Sequence, residues 1–216
     1  MAKPAIFFDL DGTLTDSGEG IINCAALALE HFGIPVPCRD DMRVFVGPPL
    51  HKTFVEFGVP EDRCWEAVEV YRSRYNTVGK FENAPYPWIR DVLETLTKQG
   101  YPLYVATSKP EALSIEIMEK FDLARYFKII CGASTDASRS EKSQVIAYLL
   151  SQLEDVTSAV MIGDTAFDVT GAAQHNIPTI GVSWGYGTVE DMEKAGAEAI
   201  AHTGEELLHF ITKKDA

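Results

Sequence analysis

No stretch of about 18 consecutive apolar residues occurs in the chain, so no segment has the length and apolarity of a membrane-spanning helix. Positive charge is in short supply: 19 Lys and Arg stand against 32 Asp and Glu, a formal net charge of −13. That balance argues against nucleic acid or an anionic membrane as the main partner. It leaves room for an anionic substrate, because a local metal ion and one lysine reverse the potential inside a pocket. Cysteine is scarce and unpatterned. Cys24, Cys38, Cys64 and Cys131 show neither CxxC nor zinc-ligand spacing, and the expectation is reduced thiols in a cytoplasmic protein. A strand-like run begins within five residues of Met1, so no signal peptide is expected ahead of it. Internal repeats and low-complexity tracts are also absent. What is present, 46 % hydrophobic and 24 % charged over 216 residues, suffices for one large domain or a domain with an insertion.

From Pro85 onward, strand-like and helix-like stretches alternate. "PWIRDVLETLTKQG" puts Trp88, Ile89, Val92, Leu93 and Leu96 on one helical stripe and stops at Gly100. "YPLYVATS" reads as a buried strand ending at Thr107 and Ser108. "KPEALSIEIMEKF" reads as a helix with Pro110 in its first turn, and "FKIICGAS" as the next strand. "EKSQVIAYLLSQL", "SAVMIGDT", "AFDVTGAAQHN" and "IPTIGVSW" continue as helix, strand, helix and strand. "TGEELLHFITKK" is a final helix opened by a capping box of Thr203 and Glu206. Strands apolar throughout and separated by helices predict an α/β fold with a doubly wound, mainly parallel sheet covered on both faces. Residues 17–82 differ. "EGIINCAALALEHFG" and "PEDRCWEAVEVYRSRYNTVG" read as helices, with "VGPPLHKTFVEFG" between them and no clear strand. The expected organisation is a core of residues 1–16 and 83–216 with an all-α cap inserted at 17–82.

Polar residues at the strand ends carry the chemistry. "AIFFDLDGTLTD" runs from Ile6, Phe7 and Phe8 straight into Asp9 and Asp11, which project to one face of an extended chain. Two like charges so close need a shared proton or a cation. Thr107 and Ser108 close the next strand, Lys142 opens a helix, and Asp164 closes "AVMIG" with Asp168 one helical turn on. In open parallel sheets, ligands bind beyond such strand ends. Taken singly, each has a plainer reading: a DxD turn, helix caps at Thr107, Ser108 and Asp164, a dipole-friendly acid at Asp168, a solvated lysine at Lys142. Together they build a site from four separate stretches. A calcium loop starting at Asp9 fails, because its sixth and twelfth positions hold Leu14 and Gly20. A glycosidase pair also fits poorly, since those acids flank a sugar from opposite sides. Acids on one face with a further carboxylate from another strand suit a hard, oxygen-seeking cation, Mg²⁺ best.

In this light the chain resembles a haloacid dehalogenase superfamily phosphatase along essentially its whole length. "DLDGTLTD" is similar to the family's first motif, Thr107 to the second, Lys142 to the third and "GDTAFD" to the fourth. The insertion falls where the helical cap of the C1 type lies, and "TSKP" looks like the phosphoglycolate-phosphatase-like subgroup. The resemblance implies that Asp9 is nucleophile and metal ligand, and that Asp11 carries a proton to and from the reacting oxygens. It implies that Mg²⁺ is held by Asp9, the backbone carbonyl of Asp11, and Asp164. Thr107, Ser108, Lys142 and the turn at Gly12 would hold the phosphoryl group, with Asp168 and Thr13 behind them.

Asp11 sets the chain apart from the dehalogenase branch, whose halide leaving group needs no proton. The resemblance implies a hydrolase of a small phosphorylated metabolite, phosphoglycolate-type or alternatively a 5′-nucleotidase or broad sugar-phosphate phosphatase. A phosphomutase is disfavoured, because Gly12-Thr13 stands where mutases carry DGV. A non-catalytic binding protein is disfavoured because no motif residue is lost. Cap residues Arg43, Gly47, Pro48, His51 and Lys52 are the expected specificity set, with Arg72 and Arg74 also within reach. A monomer or homodimer is expected.

Overall fold

The computed structural model describes residues 3–134, 136, 138–154 and 156–213. In chain order the strands and α-helices are β1 (Ala5–Phe8), β2 (Thr15–Asp16), α1 (Gly18–His31), α2 (Leu50–Glu56), α3 (Cys64–Tyr75), β3 (Ala84–Pro85), α4 (Ile89–Lys98), β4 (Leu103–Pro110), α5 (Glu111–Lys120), β5 (Ile129–Ala133), α6 (Lys142–Ser151), β6 (Ala159–Gly163), α7 (Ala166–Ala173), β7 (Thr179–Val182), α8 (Val189–Ala195), β8 (Ala199–Ala201) and α9 (Gly204–Lys213). They fall into two compact units, one of residues up to Thr15 together with Pro85 onward, the other Asp16–Ala84.

The first unit is a six-stranded parallel sheet in the order β5-β4-β1-β6-β7-β8. β1 lies between β4 and β6, with Phe8 level with Val105 on one side and Ile162 on the other. The chain fills one side of β1 and then crosses to the other, and such a switch leaves a crevice beyond the carboxyl ends of the strands. Alternation along β1 feeds two cores. Ile6 and Phe8 pack with Ile89, Val92, Leu93 and Leu96 of α4, while Ala5 and Phe7 pack with Val145, Ile146 and Leu149 of α6. Both faces are covered, so the strands are apolar on both sides.

β4 continues past Ser108 through Lys109 to Pro110, with a shift of register after Ala106. Pro110 therefore precedes α5 with extended backbone instead of standing in its first turn. The sheet also has an edge strand, β8, that the sequence pattern does not announce.

The second unit is helical. Phe45 packs on Phe54 and Phe57, with ring centroids 5.0 and 4.8 Å apart. α1 lies so close to the 79–81 turn that a Cβ on Gly20 would stand 1.9 Å from the Gly79 carbonyl oxygen. Arg74 clasps Glu82 through two 2.6 Å bonds, and Asn23 donates to the same carboxylate. β2 and β3 pair as a two-stranded ribbon. Among the described residues no helix is long and apolar enough to cross a membrane, and all four cysteines are free thiols.

Candidate active site

Three strands bring side chains to one end of the sheet. After β1 the Asp9 N–H still donates to the Ile162 carbonyl at 2.9 Å, and then the chain turns out of the sheet. Gly12, at φ +81°, closes that turn with its N–H on the Thr15 carbonyl at 2.8 Å. Only glycine fits there, because a Cβ would stand 2.2 Å from Oδ2 of Asp164. β4 presents Thr107, and β6 ends immediately before Asp164. Lys142 opens α6 beside a capping box of Glu141 and Gln144, and α7 is opened likewise by Thr165 and Asp168.

The groups converge on Lys142. Its Nζ lies 2.7 Å from Oδ1 of Asp9 and 2.7 Å from Oδ1 of Asp168, and it donates to the Ala106 carbonyl at 2.9 Å. Oδ2 of Asp168 accepts from the N–H and the hydroxyl of Thr165 at 3.0 and 2.8 Å. Asp164 accepts from the Thr13 hydroxyl at 3.1 Å and from the Tyr186 N–H at 2.8 Å. Thr107 also acts on Asp9, helping to pull its carboxyl down. Asp164 and Asp168 are fully buried and Asp9 nearly so.

Oxygens of Asp9, Asp164 and Asp168 lie within 4.8 Å of one another. Three carboxylates against the single ammonium of Lys142 leave an excess of two negative charges in a buried place. Burial pushes the Asp9 carboxyl up to about 6, with Lys142 pulling it down and Asp168 pushing it further up. Burial also raises Asp164, and repulsion from Asp168 and Asp9 adds to it. For Lys142, burial opposes the charge, yet Asp168 and Asp9 outweigh it and hold the ammonium above its usual range. A divalent cation among these oxygens would cancel the excess charge, and an all-carboxylate donor set matches Mg²⁺. The residues fit the ion.

Asp9, Gly12, Thr13, Thr107, Lys142, Asp164 and Asp168 thus come together. Asp168 holds Lys142 and also completes the carboxylate group. The Asp11 carboxylate is not part of that group; it is held by Lys109, whose Nζ lies 3.0 and 2.8 Å from its two oxygens. Ser108 sits half-buried between Thr107 and Lys109 in β4. Arg43, Gly47, Pro48, His51 and Lys52 belong to the helical unit, where His51 stacks on Trp65 at 4.9 Å. There Arg72 is paired with Glu69 and Arg74 with Glu82.

Two contributors lie outside the expected site residues. One is Lys109, whose signal was its spacing of two from Thr107. The other is the loop "SWGYG", residues 183–187. Its Tyr186 N–H holds Asp164, and the Trp184 indole N–H donates to the Thr13 carbonyl at 3.2 Å. A Cβ on Gly185 would stand 2.2 Å from Oδ2 of Asp164, and one on Gly187 2.2 Å from its backbone oxygen. These contributions are backbone and missing side chains, which a pattern of functional side chains does not register.

Comparison with known proteins agrees with this geometry. The family model described as haloacid dehalogenase-like hydrolase matches residues 6–182. The tyrosine-protein kinase PtkA of Mycobacterium tuberculosis is 41 % identical over 198 residues, covering 91 % of this chain and 68 % of that one. A 5′-nucleotidase of Pseudomonas aeruginosa is 41 % identical over 191 residues, covering 88 % and 86 %. A phosphoglycolate phosphatase of Caulobacter vibrioides is 32 % identical over 209 residues, covering 92 % and 86 %. The crystal structure of a predicted phosphatase from Clostridium acetobutylicum superposes with a TM-score of 0.92 at 41 % identity, covering 99 % of this chain and all of that one. The chain belongs to the haloacid dehalogenase-like hydrolase family, as one of its phosphatases.

Proposed function

We propose that this phosphatase hydrolyses a small phosphomonoester with Mg²⁺ through an aspartyl-phosphate on Asp9. The observation that carries the reading is the buried group of Asp9, Asp164 and Asp168 around Lys142, with a further acid, Asp11, two residues from the nucleophile. Asp9 attacks phosphorus, splitting one hard hydrolysis into two easier steps. Asp11 gives a proton to the departing oxygen and takes one from the attacking water. Thr107 and Lys142 orient Asp9 and bind phosphoryl oxygens, and charge stabilisation does most of the work. Asp9, Asp164, Asp168 and the Asp11 carbonyl would hold Mg²⁺, which when bound neutralises the charge that a carboxylate and a phosphate dianion bring together.

Two substrate classes stand out. The "TSKP" stretch looks like phosphoglycolate phosphatases, while the higher identity is to a 5′-nucleotidase. The helical unit is taken as the cap that selects between them, through Arg43, Gly47, Pro48, His51 and Lys52. Cytoplasmic location and a monomer or homodimer belong to the same reading. A second reading follows from the similarity to a protein named as a tyrosine kinase, in which a hydroxyl replaces water as acceptor.

The test is hydrolysis of p-nitrophenyl phosphate with Mg²⁺, with EDTA, and by Asp9→Asn. Turnover is expected to require Mg²⁺ and to fall at least about 10³-fold in the variant. Metal-independent turnover, or turnover untouched by Asp9→Asn, would overturn the proposal. A panel of phosphoglycolate, nucleoside monophosphates and sugar phosphates compared by kcat/KM names the substrate class. Incubation with ATP and a tyrosine-containing protein tests the second reading.

A further inference from the structure

β4 does not stop at the threonine of the second motif. It runs on to Pro110, so Thr107 and Lys109 stand two apart off the sheet, just as Asp9 and Asp11 do beyond β1. β1 and β4 are parallel neighbours, and the two pairs meet in order. Thr107 acts on Asp9, and Lys109 donates to both oxygens of Asp11 at 3.0 and 2.8 Å. The Lys109 side chain is only 6 % exposed and that of Asp11 15 %. Sinking a flexible ammonium costs desolvation and side-chain entropy, which distinguishes this pair from the solvated lysine pairs on the helices.

We propose that Lys109 is a positioning residue for the proton carrier: it fixes the orientation of the Asp11 carboxylate and thereby sets the rate of proton transfer to the leaving group. The inference rests on the reading of Asp11 given above. A carboxylate turns readily about its last torsion, and two bonds from one ammonium stop that rotation. A proton carrier held in line is worth far more than one that swings. In the first half-reaction an Asp9 oxygen bonds to phosphorus, the ester P–O bond breaks, and a proton carried on one Asp11 oxygen, with Lys109 held on the other, passes to the departing oxygen. In the second, water bonds to phosphorus, its proton returns to Asp11, and the bond between Asp9 and phosphorus breaks. Lys109 keeps its protons throughout. Its effect therefore scales with how badly the leaving group needs a proton. An alkoxide cannot leave without one, whereas p-nitrophenolate can.

The experiment compares kcat/KM for an alkyl phosphomonoester from the substrate panel and for p-nitrophenyl phosphate, with saturating Mg²⁺, in the wild type, Lys109→Ala and Lys109→Arg. kcat/KM reports the steps up to phosphorylation of Asp9. In Lys109→Ala the alkyl ester should lose about 30-fold or more, within the range of general-acid contributions, and the p-nitrophenyl ester less than about 3-fold. Lys109→Arg should recover most of the alkyl activity, and inhibition by inorganic phosphate should stay unchanged. The ratio of two substrates on one preparation does not depend on the fraction folded, so a poorly folding Ala variant still reads out, and Lys109→Gln gives the same ratio if Ala does not fold. Equal losses on both esters, no loss on either, or phosphate inhibition weakening in step with KM would overturn the proposal, the last by making Lys109 an anion-binding group. Absence of Mg²⁺-dependent turnover in the wild type would overturn the underlying phosphatase mechanism instead, which keeps the two failures apart.

Discussion

The end of the sheet and the helical unit treat charge in opposite ways. At the strand ends, Asp9, Asp164, Asp168 and Lys142 are all less than a tenth exposed, and acids outnumber the base. In the helical unit most charged groups face solvent, and some pair locally, as Arg72 with Glu69 and Arg63 with Glu66, each three residues apart on one surface. The first arrangement is costly in the metal-free protein, because desolvation and like charges both act against it. The second costs little and contributes little. The fold accepts this electrostatic penalty at the group proposed to carry the chemistry.

The contrast is most sharply tested at Asp164. In Asp164→Asn the amide still fits its neighbours, accepting from the Tyr186 N–H and donating to the Thr13 oxygen, while a like charge is removed. Mg²⁺-dependent turnover should fall by about 10²-fold or more, yet the metal-free protein should melt at a higher temperature. Loss of both activity and stability would mean that the charge is structural.

pH gives the next largest effect. Asp9, raised by burial to about 6, binds more protons folded than unfolded between its ordinary carboxylate range and that value. The metal-free protein therefore loses stability as pH rises from about 4 to about 6. Mg²⁺ needs the ionised carboxylate, so the rise in melting temperature on adding saturating Mg²⁺ should grow between pH 5 and pH 7. A shift that is flat with pH would remove Asp9 from the metal site. At the other extreme, Arg72→Ala in the helical unit should change unfolding free energy, measured by denaturant melts, by about 0.5 kcal/mol or less.

What the sequence reveals follows the same division. Strand ends carrying acids, and helices with apolar stripes such as Ile89, Val92, Leu93 and Leu96, are legible because side-chain type and spacing carry the signal. β8 is not, because "AIA" has little strand preference and sits at an edge. The length of β4 is hidden by Pro110, which normally argues against a strand but is tolerated at its end. Lys109 belongs to "TSKP", but its tie to Asp11 shows only when β4 is seen to carry it there. The grip on Asp164 is made by a backbone N–H and by glycines that matter for what they lack, so no list of functional side chains contains it.

The Trp184 indole ties the loop after β7 to the Thr13 carbonyl, inside the turn that follows Asp9 and Asp11. Its neighbour Tyr186 grips Asp164. Of the three tryptophans in the chain, Trp65 lies out on the helical unit and Trp88 touches Trp184 edge-on. Indole emission responds to hydrogen bonding and to nearby charge, so the molecule carries its own optical gauge. Filling or emptying the carboxylate group should therefore change the wavelength and intensity of that emission, with no label and no substrate.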